Sequence, residues 1–298
     1  MNIVLEPGCY VVAVSGGVDS MVLLDVLTRM PRQEAYKFVV AHYDHGIRAD
    51  SALDRRHVAK VAAEHGLHFE YMEGRLGIRA SENEARQARY AFLRQVKATY
   101  RAAAIITAHH QDDVLETAIH NMLRGTNRRG LIALRSRQDI LRPLLEYPKQ
   151  EILEYARSHD IEWREDVTNQ DLRYRRNYIR HEILPNFSEL QRQKLVEIIA
   201  KLTLLDDQIE QETDAYLQNY SGDQGLNRAA FIGLPHAVSR EVLAAWLRLH
   251  GVREVDTKLI ERLVRAIKTF AAGKKADIDD GRVLEVHTQH VQIVARAR

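Results

Sequence analysis

The chain has 298 residues, of which 45% are hydrophobic, and its formal net charge is +2. This length suits one large and one smaller domain, and the nearly balanced charge neither favours nor excludes nucleic acid as a partner. Because the chain has a single cysteine, Cys9, it has neither an internal disulfide nor a C-x-x-C metal or redox site. It also shows neither a membrane-length apolar stretch nor a signal-peptide pattern, so we expect a cytoplasmic protein that does not bind membranes.

The first predicted element is a strand over Tyr10–Val14, followed by a helix over Met21–Leu27, where apolar residues recur at helical spacing. The connection between them reads Ser15-Gly16-Gly17-Val18-Asp19-Ser20. Adjacent glycines allow a sharp turn and a close approach to a ligand, and the free N–H groups at the start of a helix favour an anion. We therefore predict a phosphate-binding loop. The plain alternative is a turn that only joins a strand to a helix.

The side chains of this loop indicate how phosphate is held. The loop has no lysine of the G-x-x-x-x-G-K-[ST] kind, so it is not a Walker loop. The hydroxyls of Ser15 and Ser20 can donate to phosphate oxygens. Asp19 cannot face a bare phosphate, because both groups are negative, unless a metal or another cation lies between them.

A second strand over Lys37–His42 ends in a polar cluster that runs from His42 to Arg48. The carboxyl ends of strands are where open α/β sheets bind ligands, so we expect His42 close to the ligand. A helix capped by Ser51 and Asp54 and a third strand over His68–Met72 follow.

The third helix is predicted to begin at the capping box Ser81-Glu82-Asn83-Glu84. Apolar positions that repeat every four residues are expected to face the sheet, namely Ala88, Phe92, Val96 and Tyr100. Arg89 lies on a different side of this helix.

A fourth strand over Ala103–Ala108 leads into a cluster that runs from His109 to Thr117. Asp113 and Glu116 are three residues apart near the start of the next helix, so their carboxylates share a face. Two acids and a histidine can hold and deprotonate an amine. The alternative is an acidic first turn that offsets the helix dipole, which does not require the histidines.

The following segment, Arg142-Pro143-Leu144-Leu145, predicts a short fifth strand or an extended stretch, and Pro148 is placed to open a helix. Strands that alternate with helices at this spacing favour an α/β fold with a doubly wound, mostly parallel sheet. Beyond it, arginines and tyrosines interleave from Arg173 to Arg180. Such a run suits RNA phosphates and stacked bases, although a solvated helix face has the same composition.

A domain boundary is predicted at Pro185 and Asn186, which divides the chain into residues 1–185 and 186–298. The second part is predicted to be mostly helical, with a long helix from about Gln191 to Tyr220, two further helices, and a short β-hairpin at the end. Its Trp246 is expected in the core. The long helix is compatible either with a homodimer or with RNA contact.

The loop from Ser15 to Ser20 resembles the PP-loop of the ATP pyrophosphatase family, whose members split ATP between the α and β phosphates. Taken together, the motifs over residues 10 to about 185 resemble the tRNA(Ile)-lysidine synthetase family. The matching segments are the loop, the His42–Arg48 segment, Asn83–Arg86 with Ala88–Tyr90, the Thr107–Thr117 block, Arg124-Gly125, Gly130-Leu131, Arg142–Leu144, Asp166, Asn169, and Arg176-Asn177 with Arg180.

Two departures from the family pattern are visible. Asn127-Arg128-Arg129 stands where a second glycine is expected. Longer family members carry a further C-terminal domain after the helical one, and we expect this chain to be of the short form.

The resemblance implies a ligase that acts on the wobble cytidine, position 34, of an isoleucine tRNA with a CAU anticodon. ATP would adenylate the C2 oxygen of that cytidine, and free lysine would then displace AMP to give lysidine. ATP would be held by Ser15, Gly16, Gly17, Val18, Asp19, Ser20 and His42, and Asp19 would be a candidate Mg²⁺ ligand.

The same resemblance implies the remaining roles. Asp113 and Glu116 would bind lysine, and His109 would act as a base or contact phosphate. Arg176 would join the catalytic set, and Arg176 and Arg180 would steady either the α-phosphate or the tRNA backbone. The tRNA would be contacted by Arg89, Arg124, Arg128, Arg129, Arg173 and Arg180, and gripped by the helices after Gln191.

Two alternatives keep part of this interpretation. A tRNA thiolase would share the PP-loop, but such enzymes usually need catalytic cysteines or a cysteine-held cluster, and Cys9 stands alone. A non-catalytic nucleotide- or RNA-binding module would be expected to lose the acids and histidine, yet Asp19, His109, Asp113 and Glu116 are all present.

Overall fold

The computed structural model describes residues 1–31, 33–46, 51–74, 82–164, 175–252 and 255–296. Predictions that concern Arg48, Ser81, Asp166, Asn169 and Arg173 lie outside these ranges. The chain forms two compact units, Met1–Lys201 and Leu202–Arg298. The predicted assignment of catalysis to residues 1–185 and of tRNA binding to residues 186–298 stays a prediction.

The first unit is built on a parallel sheet of five strands in the order β3-β2-β1-β4-β5. The strands are β1 Gly8–Ala13, β2 Tyr36–Asp44, β3 His68–Glu73, β4 Ala104–Ile106 and β5 Ile140–Leu141. The helices are α1 Val18–Thr28, α2 Ser51–Glu64, α3 Glu82–Thr99, α4 Gln111–Leu123, α5 Arg128–Leu131, α6 Lys149–Ser158 and α7 Arg175–Tyr178. Short helical turns cover Gln33–Ala35, Ile179–Ile183 and Leu184–Asn186. The predicted parallel α/β sheet is confirmed.

Alternation along β1 explains why helices cover both faces of this sheet. Tyr10, Val12 and Val14 pack in one apolar cluster with side chains of α1, α2 and α6. Val11 faces the other side, where it packs with Phe92 and other side chains of α3. The sheet is therefore doubly wound, as its alternating sequence pattern predicts.

The fifth strand differs from the prediction. It covers Ile140–Leu141, and the predicted segment Arg142–Leu145 forms a turn instead. The Arg142 backbone N–H donates to the Ser136 hydroxyl, and its carbonyl accepts from the N–H of Leu145. These bonds close the backbone on itself, so it cannot extend the sheet.

The second unit combines helices with a five-stranded antiparallel sheet in the order β6-β7-β10-β9-β8. Helix α8, Glu189–Tyr220, leads into the sheet and helices that follow. The strands are β6 Ser221–Gly222, β7 Gly225–Asn227, β8 Lys275–Asp277, β9 Arg282–Val286 and β10 His290–Ala295, and the helices are α9 Arg228–Ile232, α10 His236–Leu249 and α11 Thr257–Thr269.

The predicted hairpin is confirmed as β9 and β10, while the three shorter strands were not predicted. Trp246 is fully buried in the core of this unit, where its indole N–H donates to the Ser221 hydroxyl at 3.0 Å, and its predicted core role is confirmed. Val238 and Leu249, which lie on the same helix α10, are exposed.

Within the described ranges, no helix combines the length and apolar character that crossing a bilayer requires.

Candidate active site

The loop between β1 and α1 is shaped by its two glycines. Gly16 has a φ of +95°, a conformation that a side-chain-bearing residue adopts only with strain. Gly17 has an extended backbone and is the N-cap of α1. The first N–H groups of α1, from Val18 onward, therefore open toward the carboxyl edge of the sheet, where the helix dipole favours an anion.

The Ser20 hydroxyl holds this loop together from within. It accepts hydrogen bonds from the backbone N–H of Ser15 at 3.1 Å and of Gly16 at 3.2 Å, and it donates to the Gly17 carbonyl at 2.9 Å. Ser20 is 5% exposed, whereas Ser15 is exposed at the loop surface. The donor that Ser20 was expected to offer to phosphate is thus used inside the loop, and Ser15 is the hydroxyl that faces outward.

Asp19 has a cationic neighbour that sequence analysis did not identify. The Lys149 ammonium lies 2.5 Å from the Asp19 carboxylate. Lys149 is the first residue of α6, and α6 packs beside α1 on the same face of the sheet. The buried ring of His110 approaches the same carboxylate, with Nε2 at 3.7 Å. The cation that phosphate chemistry requires beside Asp19 is therefore supplied, in this structure, by the chain itself.

The acid pair on α4 holds a guanidinium group. Arg180 donates to the two carboxylate oxygens of Glu116 at 2.5 and 2.9 Å and to Asp113 at 3.2 Å. Asp113 also accepts from the backbone N–H of His110 at 3.0 Å, which fixes its side chain at the start of α4. Asp113 and Glu116 thus share one face, as their spacing predicts, and together bind one cation.

Charge and burial oppose each other at this acid pair. Glu116 is 2% exposed, and burial raises its pKa above the ordinary value while Arg180 partly offsets that rise. Burial also opposes the charge of Arg180, but its bonds to Glu116 and the attraction of Glu116, Asp113 and Asp19 raise its pKa overall.

His109 lies among arginines at the carboxyl end of β4. Its Nδ1 lies 2.8 Å from the hydroxyl of Thr107, which is itself buried. Burial lowers the pKa of His109 well below its ordinary value, and the positive charges of Arg142, Arg89, Arg86 and Arg176 lower it further. The imidazole is therefore neutral at physiological pH and can accept a proton.

His42 lies beneath the loop. It is 3% exposed, and its Nδ1 lies 2.9 Å from the Val14 carbonyl, so Nδ1 carries the proton and donates. Burial lowers its pKa. His42 joins the ends of β1 and β2 and is not among the described residues that line the cavity below, and its direct contact with ATP stays a prediction.

A cavity of about 630 Å³ brings most of these groups together. It is lined by the whole Ser15–Ser20 loop and by Arg89, Thr107, His109, Lys149 and Arg180. Its volume falls in the range of small-molecule sites. The backbone of the glycine loop at the start of α1, cations and a neutral histidine thus share one space at the carboxyl edge of the sheet.

The other arginines that the sequence singles out are not among the described residues that line this cavity. Arg176 is half-buried and donates to the Thr117 hydroxyl at 3.4 Å. Arg124 is the C-cap of α4 and is exposed, while Arg128 and Arg129 begin the short helix α5. Arg173 lies outside the described residues.

A family model for the PP-loop domain matches residues 3–187. A tRNA(Ile)-lysidine synthase of Synechococcus sp. is 30% identical over 283 residues, which cover 92% of this chain and 87% of that protein. The chain belongs to the tRNA(Ile)-lysidine synthase family of PP-loop proteins.

Other similarities of this PP-loop chain are partial. The tRNA(Ile)-lysidine synthase of Thermotoga maritima is 39% identical over 194 residues, which cover 62% of this chain and 47% of that protein. The chain thus spans about half the length of that relative. Among solved structures, a U34-tRNA thiolase from Methanococcus maripaludis has a TM-score of 0.44 and 15% identity, covering 85% of this chain and 76% of that one. A similarity this distant carries no argument about function.

The donor set of the PP-loop site limits how it can hold a metal ion. Within the described residues, no group of three or more His, Cys, Asp or Glu side chains is arranged to hold one. Mg²⁺ usually keeps several waters and takes one or two carboxylates together with substrate phosphates. Asp19, which faces the cavity, fits that kind of site and not a closed protein cage.

Sequence analysis of this PP-loop protein missed Lys149, Thr107 and His110. Thr107 and His110 lie in the Thr107–Thr117 block, which matches the family pattern. Within that block, the sequence assigns catalytic or lysine-binding roles only to His109, Asp113 and Glu116. Lys149 follows Pro148, which is predicted to open a helix, and the sequence assigns no role to the lysine itself. A lysine at the first position of a helix that follows a parallel strand was the available signal, because such positions lie at the ligand-binding edge.

Proposed function

We propose that this chain ligates lysine to C2 of the wobble cytidine, position 34, of an isoleucine tRNA with a CAU anticodon, with ATP as the second substrate and with AMP and pyrophosphate as products. Membership of the tRNA(Ile)-lysidine synthase family supports this proposal. One observation carries it: the acid pair Asp113 and Glu116 holds a cation beside the phosphate-binding loop.

The first step is transfer of AMP to the tRNA. The C2 oxygen of the cytidine attacks the α-phosphorus of ATP, and the bond to the β-phosphate breaks to release pyrophosphate. The N–H groups at the start of α1 and the Ser15 hydroxyl stabilise the negative charge on the leaving group. Lys149 and Arg176 supply positive charge, and Ser20 keeps the loop in shape.

Mg²⁺ fits this step. Asp19 would hold it together with phosphate oxygens, after the carboxylate exchanges its contact with Lys149. A metal bound there neutralises phosphate charge and polarises the α-phosphate.

The second step is displacement of AMP by lysine. Asp113 and Glu116 bind the ammonium groups of free lysine, and the ε-amine attacks C2 once it has lost a proton. The neutral imidazole of His109 is the base, and the C2–O bond breaks so that the oxygen leaves with AMP. Arg89, which also lines the cavity, and Arg180 stabilise the phosphate as it departs.

The tRNA substrate must place its wobble base in the cavity, so the base leaves the stack of its loop. Arg124, Arg128, Arg129 and Arg173 are proposed to contact the tRNA backbone, and residues 186–298 to bind the tRNA body. Free lysine and tRNA are available in the cytoplasm, which is the proposed location. A homodimer through the long helix stays an open prediction.

The position of Cys9 favours this reaction over thiolation. It is the single cysteine of the chain and lies in β1 near its amino end, whereas the site lies at the carboxyl edge of the sheet. Burial raises the pKa of its thiol, which reduces its reactivity.

The deciding experiment incubates the chain with Mg-ATP, radiolabelled lysine and unmodified CAU-anticodon isoleucine tRNA. Label that enters the tRNA, resists mild base and requires ATP is expected. Methionine tRNA with the same anticodon is the control and should stay unlabelled. Label that mild base removes would indicate aminoacylation, and either that result or the absence of any label would contradict the proposal.

A further inference from the structure

The guanidinium of Arg180 lies where the proposed substrate cation must bind. It makes three hydrogen bonds to the acid pair, two to Glu116 and one to Asp113. Each of the four carboxylate oxygens thus already accepts a hydrogen bond, three from Arg180 and one from the backbone N–H of His110. Lysine and Arg180 therefore compete for the same oxygens.

The burial of Glu116 makes a simple departure of Arg180 costly. Glu116 is 2% exposed, and without a cation it would be an isolated buried carboxylate. Such a group is strongly destabilised or takes up a proton, and a protonated carboxyl no longer attracts an ammonium group. The exchange is favourable only if one cation replaces the other and Arg180 finds a second anion.

The cavity offers that second anion when nucleotide is present. Arg180 and the Ser15–Ser20 loop line the same cavity, and Arg180 is close enough to Asp19 for that carboxylate to raise its pKa. An arginine can bind a phosphate as well as a carboxylate with its fork of N–H donors. A phosphate held at the loop therefore gives Arg180 a new partner within the site.

We propose that Arg180 is an internal competitor for the lysine site, and that phosphate bound at the loop draws it away and so opens the site to lysine. This inference rests on the proposed function. It makes Arg180 the residue that couples lysine binding to the nucleotide. Free lysine then binds tightly only after a nucleotide phosphate occupies the Ser15–Ser20 loop. Lysine is thereby kept out of the site until the nucleotide needed for adenylation has bound.

The test measures L-lysine affinity by calorimetry on the full chain, with and without α,β-methylene-ATP, which cannot be split between the α and β phosphates. In the wild type, the analogue should tighten lysine binding about tenfold, within the usual range of coupling between sites. Arg180→Gln should bind lysine about tenfold more tightly than the wild type without nucleotide, and the analogue should no longer matter. Millimolar guanidinium chloride should weaken lysine binding to this variant.

Arg192→Gln is the matched control. Arg192, in α8, lies 3.5 Å from the carboxylate of Asp112, which is on α4 together with the acid pair, and it donates to the Leu184 carbonyl. Arg192 contacts neither Asp113 nor Glu116 in this structure. Its lysine affinity should equal that of the wild type. A purely structural role for Arg180 predicts the opposite sign, because loss of the guanidinium would then disorganise the acids and weaken lysine binding.

Two results would overturn the inference. One is a folded Arg180→Gln variant that binds lysine no more tightly than the wild type. The other, which needs no variant, is a wild-type lysine affinity that the analogue does not change. If the wild type forms lysidine in the incubation described above, either result removes the competition and leaves the proposed function intact. A wild type that forms no lysidine would contradict both the proposed function and the competition that rests on it.

Discussion

Lys149 and Asp19 are 130 residues apart in the sequence, yet the lysine ammonium lies 2.5 Å from the aspartate carboxylate. Each residue stands in the first turn of its helix, α6 and α1 respectively, at the carboxyl edge of the sheet. In a similar pair, Arg180, which lines the same cavity as Asp19 and Lys149, donates to the buried carboxylate of Glu116. The acids proposed to handle Mg²⁺ and lysine are thus both neutralised by cations of the chain.

Lys149→Met should weaken use of ATP. The substitution keeps the length of the side chain but removes the positive charge beside Asp19, so Asp19 would repel the triphosphate more strongly. The KM for ATP should rise about tenfold or more, measured by tRNA-dependent release of pyrophosphate. Lys60→Met is the control, because Lys60 is an exposed residue of α2 that pairs with Glu64. Equal KM values for the two variants would refute a phosphate role for Lys149.

Glu116→Gln should separate the two steps of the reaction. The amide fills the same space but cannot hold a cation by charge, so lysine binding should fall by about thirtyfold or more. Adenylation does not use this carboxylate, and pyrophosphate release should therefore continue. The two steps are measured separately as lysine incorporation and pyrophosphate release. An unchanged KM for lysine would show that Glu116 does not bind it.

Thr107→Val should impair lysine transfer without unfolding the chain. The hydroxyl that lies 2.8 Å from Nδ1 of His109 is lost, so the ring loses the partner that fixes its orientation and tautomer. The rate of the lysine step should fall about tenfold to a hundredfold, while Thr107→Ser, which keeps the hydroxyl, should stay near the wild-type rate. The step is followed from preformed adenylated tRNA. Equal rates for valine and serine variants would exclude this positioning role.

The lysine step should not respond to pH in the range where histidine ordinarily titrates. Burial and the surrounding arginines hold the pKa of His109 well below 6.5, so the base is neutral there and stays active. The rate of this step should therefore fall only at lower pH, as His109 takes up a proton. Single-turnover rates at several pH values check this. A loss of half the rate near pH 6.5 would contradict it.

Ser20→Ala should lower the stability of the fold, whereas Ser15→Ala should weaken the use of ATP. The Ser20 hydroxyl makes three hydrogen bonds to the loop backbone, and its removal leaves the N–H groups of Ser15 and Gly16 without this acceptor. Its loss should lower the free energy of unfolding by about 1–3 kcal/mol, seen in thermal or urea unfolding. Ser15→Ala should leave stability nearly unchanged and raise the KM for ATP. The same stability loss in both variants would contradict separate roles.

Local pattern was sufficient to predict much of the first unit. The four-residue repeat of α3 correctly places Phe92 and Val96 against the sheet, because helical periodicity alone decides which side chains share a face. Asp256 is the N-cap of α11, and its side chain accepts from the Leu259 N–H, as the capping preference of aspartate favours. Short strands were missed, since β6, β7 and β8 have only two or three residues and show no alternation.

The sequence by itself determined the glycine loop between β1 and α1, the winding of the parallel sheet and the shared face of Asp113 and Glu116. These features depend on neighbours within a few residues, on glycine conformation and on the periods of strands and helices. Only the tertiary structure decided which cations meet those acids, because Lys149 and Arg180 arrive from 130 and 64 residues away. Contacts at that separation depend on how the sheet orders its strands and where the following helices begin, and no local pattern records that.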